Sequence, residues 1–256
     1  MKILIHREKR EVVDDKERTV SKEKRYFVDE LSKDFPTFYG MIKKADLQKS
    51  GVVIKTDKDQ EFIIFDASFI DVHKNLKKFA QTIPLKDIGA IIAETGINKD
   101  SVVVEGGVGS AALAIALANV AKQVISYEIR DDCIKTAEEN IKQTSTKNIV
   151  LKKASLYEGI DEKNVDVVCF DLPEPWHAVK YATKALKVGG FLVNYSIQLS
   201  QVQKFVEEVH KQDELYYVKT VELIERPWAI DNKRLRPNNS GIGHSGFLTF
   251  VRKIKS

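Results

Sequence analysis

The sequence predicts an α/β fold in which a small β domain precedes a mostly parallel, doubly wound sheet of seven strands. Three observations lead to this prediction. Residues 1–70 contain short runs of alternating apolar and polar residues between charged turns, which is typical of strands. Residues 71–256 alternate Val- and Ile-rich runs with runs of helical spacing, and such alternation produces parallel sheets. A glycine-rich segment follows the first strand of this second region, as in nucleotide-binding folds.

Residues 1–70 are predicted to form a small, barrel-like β domain. Its predicted strands share the short alternating pattern and are residues 2–6, 25–28, 52–55 and 61–65. Charged turns such as residues 57–59 separate the strands, and Pro36 and Gly40 mark loops. The lysines of this domain are candidates for phosphate contacts, although a solvated charged surface is the commoner reason for such residues.

The second predicted domain, residues 71–256, starts with a connecting segment at 71–82 and a helix at 85–94. Strands and helices then alternate. The predicted strands are residues 101–105, 124–128, 149–152, 165–171 and 191–195, and the predicted helices are residues 111–121, 132–142, 178–186 and 200–210. The last two strands, 216–222 and 246–252, are joined by a long loop without a helix. This connection predicts an antiparallel end of the sheet.

Length, composition and charge exclude several classes of protein. The chain has 256 residues, of which 43% are hydrophobic and 30% charged, as expected for a globular protein with a core. No stretch approaches the roughly 18 apolar residues of a membrane span, and the first residues lack the apolar core of a signal peptide. We therefore expect a cytoplasmic protein without a membrane partner. The net charge of +4 fits a polyanionic partner but does not require one.

The cysteines and histidines predict neither a disulfide nor a metal site. Cys133 lies in a helical pattern and Cys169 in an apolar strand, so both are expected to be small core residues. The five histidines are scattered, and none forms a pair with zinc spacing. We expect no bound metal.

Two glycines directly after the first strand of the second domain form a candidate cofactor loop. Gly107 and Gly109 permit a tight turn and close ligand approach, and together with Ala112 they also match the dinucleotide fingerprint. Glu128, at the end of the next strand, is placed to bind ribose hydroxyls. Glu105 distinguishes the ligands, because a carboxylate repels a pyrophosphate but attracts the sulfonium and ammonium groups of S-adenosylmethionine. A methyl donor is therefore favoured over NAD, and a purely structural turn is the third interpretation.

A second candidate site lies at the end of the fourth strand of this domain. Asp171 ends that strand, and ligands of open parallel sheets bind beyond the carboxyl ends of the strands. Pro173 and Pro175 stiffen the following loop, and Trp176 offers a flat face on which a base can stack. The structural alternatives are that Asp171 caps a turn and that Trp176 belongs to the core.

Eight short segments in the second domain form an ordered set. They are Lys86-Asp87, Glu105-Gly106-Gly107-Val108-Gly109-Ser110, Ser126-Tyr127-Glu128-Ile129-Arg130, Tyr157-Glu158-Gly159-Ile160, Asp171-Leu172-Pro173, Gly189-Gly190-Phe191, Arg236-Pro237 and His244-Ser245-Gly246-Phe247-Leu248. As a set, they resemble the tRNA (adenine-N1)-methyltransferases that modify the T-loop adenosine, especially the archaeal and bacterial homo-oligomeric kind. The resemblance covers roughly residues 80–252, and the N-terminal β domain also fits the family's plan.

This resemblance implies a Rossmann-like class I methyltransferase fold, S-adenosyl-L-methionine as cofactor, a tRNA partner and usually a homotetramer. The candidate donor-binding residues are Glu105, Gly107, Val108, Gly109, Ser110, Glu128, Ser155 and Asp171. Asp171 is also the candidate catalytic residue, because its carboxylate can accept a hydrogen bond from the amino group of the adenine while positive charge develops on the ring. The candidates for substrate contact are Tyr195, Trp176, Arg236 and His244.

Some positions depart from the family's pattern. Ala111 stands where the family usually has a third glycine, and Ser155 replaces an acidic residue expected to hold the amino group of the donor's adenine. A serine hydroxyl still accepts a hydrogen bond, although a weaker one. The segment 81–87 lacks the Tyr or His that often precedes Pro-Lys-Asp, so another aromatic such as Tyr195 or Trp176 would have to stack on the base.

Three other functions remain open. One is an amine methyltransferase acting on adenine N6, whose motif has two adjacent prolines and an aromatic where this chain has Asp-Leu-Pro-Glu-Pro-Trp. Another is a class I methyltransferase for a small molecule or a protein, which leaves the β domain without a purpose. The last is a non-catalytic tRNA-binding subunit of a heteromeric methyltransferase. The intact Glu105, Gly107 and Asp171 argue against this last function, whereas Ala111 and Ser155 keep it open.

Overall fold

The computed structural model describes residues 1–13, 16–78, 81–231, 234–239, 241 and 243–256. The chain divides into two compact units, Met1–Leu76 and Lys77–Ser256. The boundary lies beyond the predicted residue 70 because helix α1 (Phe69–Lys74) occupies part of the expected connecting segment. This helix starts at a capping box formed by Ser68 and Asp71, which satisfies two backbone N–H groups of its first turn.

The first unit is built of antiparallel strands. They are β1 (Lys2–His6), β2 (Lys9–Val13), β3 (Lys16–Ser21), β4 (Lys24–Val28), β5 (Phe35–Thr37), β6 (Gly40–Ile42), β7 (Val52–Lys55) and β8 (Glu61–Asp66). Four of them form one sheet in the order β4-β1-β8-β7, while β2–β3 and β5–β6 are separate hairpins. Within the described part of this unit, β4 and β7 are the edges of an open sheet, so these four strands do not close into a barrel.

The hairpin β5–β6 corrects the expectation that Pro36 and Gly40 lie in loops. Pro36 pairs with Met41, and Thr37 pairs with Gly40. A two-stranded hairpin accepts a proline because the missing N–H group removes no bond to a further strand. Gly40 has a φ of +114°, and a Cβ atom at this position would lie 2.4 Å from Asp57 Oδ1, so the turn requires glycine.

The second unit contains a seven-stranded, mostly parallel sheet. Its strands are β9 (Val102–Gly106), β10 (Gln123–Glu128), β11 (Ile149–Lys153), β12 (Val165–Phe170), β13 (Leu186–Ser196), β14 (Leu215–Glu222) and β17 (Phe247–Lys253). The order is β11-β10-β9-β12-β13-β17-β14, and β17 runs antiparallel to both of its neighbours. The predicted sheet and its antiparallel end are therefore confirmed. The loop before β17 contains a hairpin that was not predicted, β15 (Trp228–Asp231) with β16 (Arg234–Pro237).

Helices cover both faces of this sheet. They are α2 (Leu85–Thr95), α3 (Ala112–Ala118), α4 (Asp131–Thr144), α5 (Val179–Ala185) and α6 (Leu199–Val209). A 3₁₀ turn at Pro175–Ala178 precedes helix α5, which begins one residue after the predicted residue 178. Helix α3 begins one residue later than predicted, because Ala111 adopts the left-handed conformation with a φ of +61°, and it ends at Ala118 rather than at residue 121. An alanine in this conformation costs roughly 1 kcal/mol.

The core of the second unit lies between the sheet and helices α5 and α6. It includes Val104, Phe170, Leu192 and Phe205, all of which are buried. Cys133 and Cys169 are buried free cysteines, as predicted. Among the described helices, none is both long enough and apolar enough to cross a membrane.

Candidate active site

The ends of three neighbouring parallel strands bring the predicted acidic residues together. In the central strand β9, Glu105 pairs with Cys169 of β12 and with Ser126 of β10. Glu128 ends β10, and Asp171 directly follows β12. The backbone N–H of Asp171 donates to the carbonyl of Gly106 at 2.9 Å, so the last strand bond fixes where this residue leaves the sheet.

The glycine-rich loop is tightly packed against the chain at Asp171. Gly107 has a φ of +88°, and a Cβ atom here would lie 2.2 Å from the carbonyl oxygen of Asp171. Its N–H donates to the carbonyl of Tyr127 at 3.0 Å. Gly109 has a φ of +52° with no atom near its missing Cβ. The first glycine is thus required by both conformation and space, the second by conformation alone.

Glu128 holds the loop and the start of helix α4 at the same time. Its Oε2 accepts the N–H of Gly109 at 3.2 Å. Its Oε1 accepts the N–H groups of Ile129 at 2.9 Å and Arg130 at 3.0 Å. Each carboxylate oxygen has two lone pairs, so Glu128 keeps the capacity to accept further hydrogen bonds from a ligand.

Two carboxyl groups at this edge have strongly raised pKa values. Burial raises the pKa of Glu105 to about 8, although a 2.6 Å hydrogen bond from Ser126 opposes the shift. Burial, with the charge of Glu128, raises the pKa of Asp171 to about 7. In the part of the chain that the structure describes, the Asp171 carboxylate receives no hydrogen bond. Both groups would be stabilised as anions by a positively charged ligand.

A cavity of about 350 Å³ opens at the same edge of the sheet. Gly107, Gly109, Glu128, Ser155 and Asp171 are among the residues that line it. This volume lies in the range of ligand pockets. The Oγ of Ser155 accepts the N–H of Tyr157 at 3.2 Å, which orients the side chain in the cavity wall.

A smaller cavity of about 30 Å³ adjoins the first and shares several of its residues. Its walls include Glu105, Val108 and Ser110. The Oγ of Ser110 is buried and has no hydrogen-bond partner. A buried hydroxyl without a partner is costly, so this position is suited to a polar ligand group. Two acidic groups with raised pKa values, a polar orphan atom and a glycine cradle together fit S-adenosylmethionine.

The predicted substrate residues lie apart from these cavities. Tyr195 is buried in β13, and its hydroxyl donates to the carbonyl of Ser245 at 2.5 Å. Burial and the charge of Asp87 raise its pKa to about 12. Trp176 is half-buried in the 3₁₀ turn, and the Nζ of Lys204 lies 4.8 Å from the centre of its ring. In this conformation the Tyr195 ring is buried, and the Trp176 ring is partly covered by its surroundings.

The other two predicted contacts are also engaged within the protein. Arg236 lies in β16, outside the residues that line the cavity, and its guanidinium contacts Asn239. The Nδ1 of His244 lies 2.5 Å from a carboxylate oxygen of Glu222, and its Nε2 lies 2.8 Å from the carbonyl oxygen of Ile197. The hydrogen bond to Glu222 raises the pKa of His244. In this conformation, His244 joins its own loop to Glu222 and Ile197.

Gln81 lines the candidate site and Asn140 supports its glycine loop, and neither residue was predicted. The Nδ2 of Asn140 donates to the carbonyls of Ser110 at 2.8 Å and Lys77 at 2.9 Å. It thereby ties the glycine loop to the segment that leads to Gln81, which lines both cavities. One signal was available in the sequence: Asn140 shares a helix face with the buried Cys133 and Ala137. A polar residue on an apolar stripe usually has a specific hydrogen-bonding partner.

Fold and site together define a class I S-adenosylmethionine-dependent methyltransferase. A similar solved structure is an S-adenosylmethionine-dependent O-methyltransferase from Thermotoga maritima, with a TM-score of 0.82 and 26% identity over 100% of this chain and 93% of that one. The tRNA (m1A58) methyltransferase TrmI from Aquifex aeolicus has a TM-score of 0.79 and 23% identity over 100% and 98% of the two chains, which shows the shared fold.

Sequence comparisons specify the family. Residues 72–245 match the family described as tRNA methyltransferase complex GCD14 subunit, and the chain belongs to this family. A relative from Methanocaldococcus jannaschii, tRNA (adenine(57)-N(1)/adenine(58)-N(1))-methyltransferase TrmI, is 34% identical over 90% of this chain and 91% of its own length. The tRNA (adenine(58)-N(1))-methyltransferase TrmI of Thermus thermophilus is 28% identical, with 80% and 82% covered. The family resemblance is confirmed.

Proposed function

We propose that this protein transfers the methyl group of S-adenosylmethionine to N1 of an adenosine in the T-loop of tRNA. The observation that carries the proposal is the environment of Asp171, a half-buried residue of the cavity wall. Its backbone carbonyl packs against Gly107, and its carboxylate receives no hydrogen bond from described residues. The names of the relatives from Methanocaldococcus and Thermus supply the substrate and the modified positions, 58 and, in the former, also 57.

We assign the binding of the methyl donor, S-adenosylmethionine, to residues that line the two cavities. Glu105 and Ser110 would bind the polar end of its amino acid, which carries the ammonium group. Glu128 would accept hydrogen bonds from the ribose, and Ser155 from the amino group of the donor's adenine. Val108, Gly107 and Gly109 would shape the turn that approaches the ligand. When bound, S-adenosylmethionine supplies an electrophilic methyl group on a sulfonium.

Asp171 is assigned the catalytic role. The N1 lone pair of the target adenine forms the new bond to the methyl carbon, and the electrons of the broken carbon–sulfur bond remain on sulfur. The methylated ring is a cation. Asp171, as a carboxylate, would accept a hydrogen bond from the exocyclic amino group and stabilise this charge as it develops. Because N1 is itself the nucleophile, the side chains mainly have to position it in line with the methyl group.

The target base must leave its stack to reach such a pocket. Surface cations, among them Arg236, would bind the phosphates around the target nucleotide. Trp176 and Tyr195 remain candidates for the base only if their present contacts open on binding. We also propose a homotetramer, as the family resemblance implies, which light scattering would measure, and a cytoplasmic location, as expected from the sequence.

A single assay tests the reaction and its key residue. Purified protein is incubated with an unmodified tRNA transcript and labelled S-adenosylmethionine, and the nucleosides are analysed by mass spectrometry. We expect 1-methyladenosine, and we expect its formation to fall roughly a hundredfold or more in Asp171→Ala, as for loss of one transition-state contact. Donor binding without transfer to tRNA would contradict the proposal and point to another substrate. A substrate with a hydroxyl group would then be the first methyl acceptor to assay, given the similarity to the Thermotoga O-methyltransferase.

A further inference from the structure

Phe38 is an exposed aromatic ring at the tip of the β5–β6 hairpin in the first unit. It is 76% exposed, the highest value among the large exposed hydrophobic residues described in this unit. The tip consists of Phe38 and Tyr39, between the paired Thr37 and Gly40. Single exposed apolar residues are common on protein surfaces, so the way the chain holds this ring matters more than its exposure.

The backbone on both sides of Phe38 is held by specific hydrogen bonds. Its own N–H donates to the hydroxyl of Tyr26 at 2.9 Å. The hydroxyl of Thr37 accepts the N–H of Tyr39 at 3.1 Å and donates to the carbonyl of Gly40 at 2.6 Å. The hairpin tip is therefore a built turn, whose shape exists before any partner binds.

The neighbouring Tyr39 anchors the tip to the rest of the unit. Its hydroxyl donates to the carbonyl of Lys22 at 2.8 Å and accepts the N–H of the same residue at 3.0 Å. Its ring packs against His6, with 4.1 Å between the ring centres. The Phe38 ring stands at 87° to this anchored ring, with 5.1 Å between the ring centres. One of the two aromatic residues at the tip is thus fixed inward, while the other is presented outward.

Cations accompany the exposed ring. The Nζ of Lys24 lies 5.9 Å from the centre of Phe38, and Lys22 is also exposed. Over the described residues, neither lysine forms an ion pair. A flat apolar ring with unpaired cations beside it is the combination that binds single-stranded nucleic acid, because the base stacks and the phosphates pair with the cations. A protein partner would instead be expected to require a wider apolar patch.

We propose that the β5–β6 tip is a stacking platform for an unpaired nucleotide of RNA, with Lys22 and Lys24 as phosphate contacts. This inference rests on the proposed tRNA substrate and adds a binding site in the first unit. It predicts that the platform contributes to RNA affinity and leaves the chemical step and donor binding unchanged.

The test measures the affinity of the full-length protein for an unmodified tRNA transcript by fluorescence anisotropy, together with methyl transfer. We expect Phe38→Ala and Phe38→Leu to weaken binding about tenfold, as for loss of one stacked base. Phe38→Tyr and Phe38→Trp should bind like the wild type, since both keep a flat ring. The KM for tRNA should rise in the two weakened variants, while kcat and the Kd for S-adenosylmethionine stay the same.

Two further variants control the result. Tyr216→Ala removes an exposed aromatic from β14 in the other unit and should leave tRNA affinity unchanged. Lys24→Gln should weaken binding and reduce the dependence of affinity on salt, as expected for one lost phosphate contact.

Several outcomes would overturn the platform. If Phe38→Leu binds as well as the wild type, the ring acts only as an apolar contact. If Phe38→Ala methylates tRNA with an unchanged KM, the platform is wrong while the proposed function stands. A wild-type protein that neither binds nor methylates tRNA would overturn both.

Discussion

The Nζ of Lys86 lies 2.7 Å from the Oγ of Ser245, although 159 residues separate them in the sequence. The same ammonium contacts both carboxylate oxygens of Asp87, at 2.9 and 2.8 Å, and Ser245 donates to Asp87 at 3.1 Å. The carbonyl of Ser245 accepts the hydroxyl of Tyr195. Helix α2, the segment before β17 and strand β13 are thus joined beside the candidate site. A Cβ atom added at Gly246 would lie 2.4 Å from the Tyr195 ring, so the backbone at Gly246 packs directly against this ring.

Replacing one member of the buried ion pair Lys86–Asp87 should destabilise the protein more than replacing both members. The side chain of Asp87 is 1% exposed and that of Lys86 17%. Lys86→Met leaves a buried carboxylate without its cation, and we expect the free energy of unfolding to fall by about 3 kcal/mol. The double variant Lys86→Met/Asp87→Asn carries no uncompensated charge and should be closer to the wild type. Denaturant unfolding of the wild type and the three variants, including Asp87→Asn alone, measures the coupling.

A double variant that is less stable than Lys86→Met would contradict this explanation. Lys86→Arg is the control for charge, because it keeps the cation and should retain most of the stability. If Lys86→Arg were as unstable as Lys86→Met, the shape of the ammonium group rather than its charge would be what matters.

The sequence predicts that the acidic residues of the candidate site come together, because local rules govern their positions. Glu105, Glu128 and Asp171 end neighbouring strands, and parallel strands place such ends together. The contact between Lys86 and Ser245 obeys no local rule, because it depends on how distant segments pack. The same holds for Tyr195 and Trp176, whose availability depends on Ser245 and Lys204. An aromatic side chain can be recognised as a candidate from the sequence, but the atoms that cover it cannot.

The fold shows the same division. The helices and strands of the second unit were predicted because their apolar periodicity is long and regular. The hairpins β2–β3, β5–β6 and β15–β16 were missed. Strands β2 and β3 (KREVV and KERTVS) lack the regular alternation of apolar and polar residues that marks the predicted short strands. In β5, Pro36 indicated a loop, but a strand that pairs with a single partner tolerates a proline.

Gly107→Ala should abolish donor binding, whereas Gly109→Ala should only weaken it. A methyl group at 107 would collide with the backbone oxygen of Asp171 at 2.2 Å, and backbone cannot move aside as a flexible side chain does. At 109 no atom lies within 4 Å of the added carbon, and only the cost of the left-handed conformation remains, roughly 1 kcal/mol or a fivefold loss. Isothermal titration with S-adenosylmethionine measures both. Equal losses in the two variants would show that conformation alone, not the contact with Asp171, limits the loop.

Donor affinity should rise with pH between about 6 and 8. Burial raises the pKa of Glu105 to about 8 and that of Asp171 to about 7, so both are substantially protonated in neutral solution. A cationic donor favours the ionised forms, and binding should therefore release protons. Titrations in buffers of different ionisation enthalpy measure this release. In Glu105→Gln, the part of the pH dependence near 8 should disappear, and an unchanged profile would contradict the assignment.

The same pKa of Glu105 has a consequence for the protein without a ligand. A carboxyl group with a folded pKa above its ordinary value of 4.5 favours the folded state while it is protonated. Its contribution to the free energy of unfolding is complete below pH 4.5 and is lost as the pH rises through about 8. The midpoint temperature of thermal unfolding should therefore fall more steeply with rising pH over this window in the wild type than in Glu105→Gln.

Ser155→Asp should tighten the binding of S-adenosylmethionine several-fold. The serine Oγ lies in the wall of the main cavity and accepts the N–H of Tyr157. An aspartate can keep this hydrogen bond with one oxygen and offer the other to the amino group of the donor's adenine. A hydrogen bond to a charged acceptor is roughly twice as strong as one to a neutral acceptor. Isothermal titration of Ser155→Asp, with Ser155→Asn as the uncharged control of similar size, measures the gain. An aspartate variant that binds no better than the asparagine variant would show that this wall of the cavity does not contact the adenine.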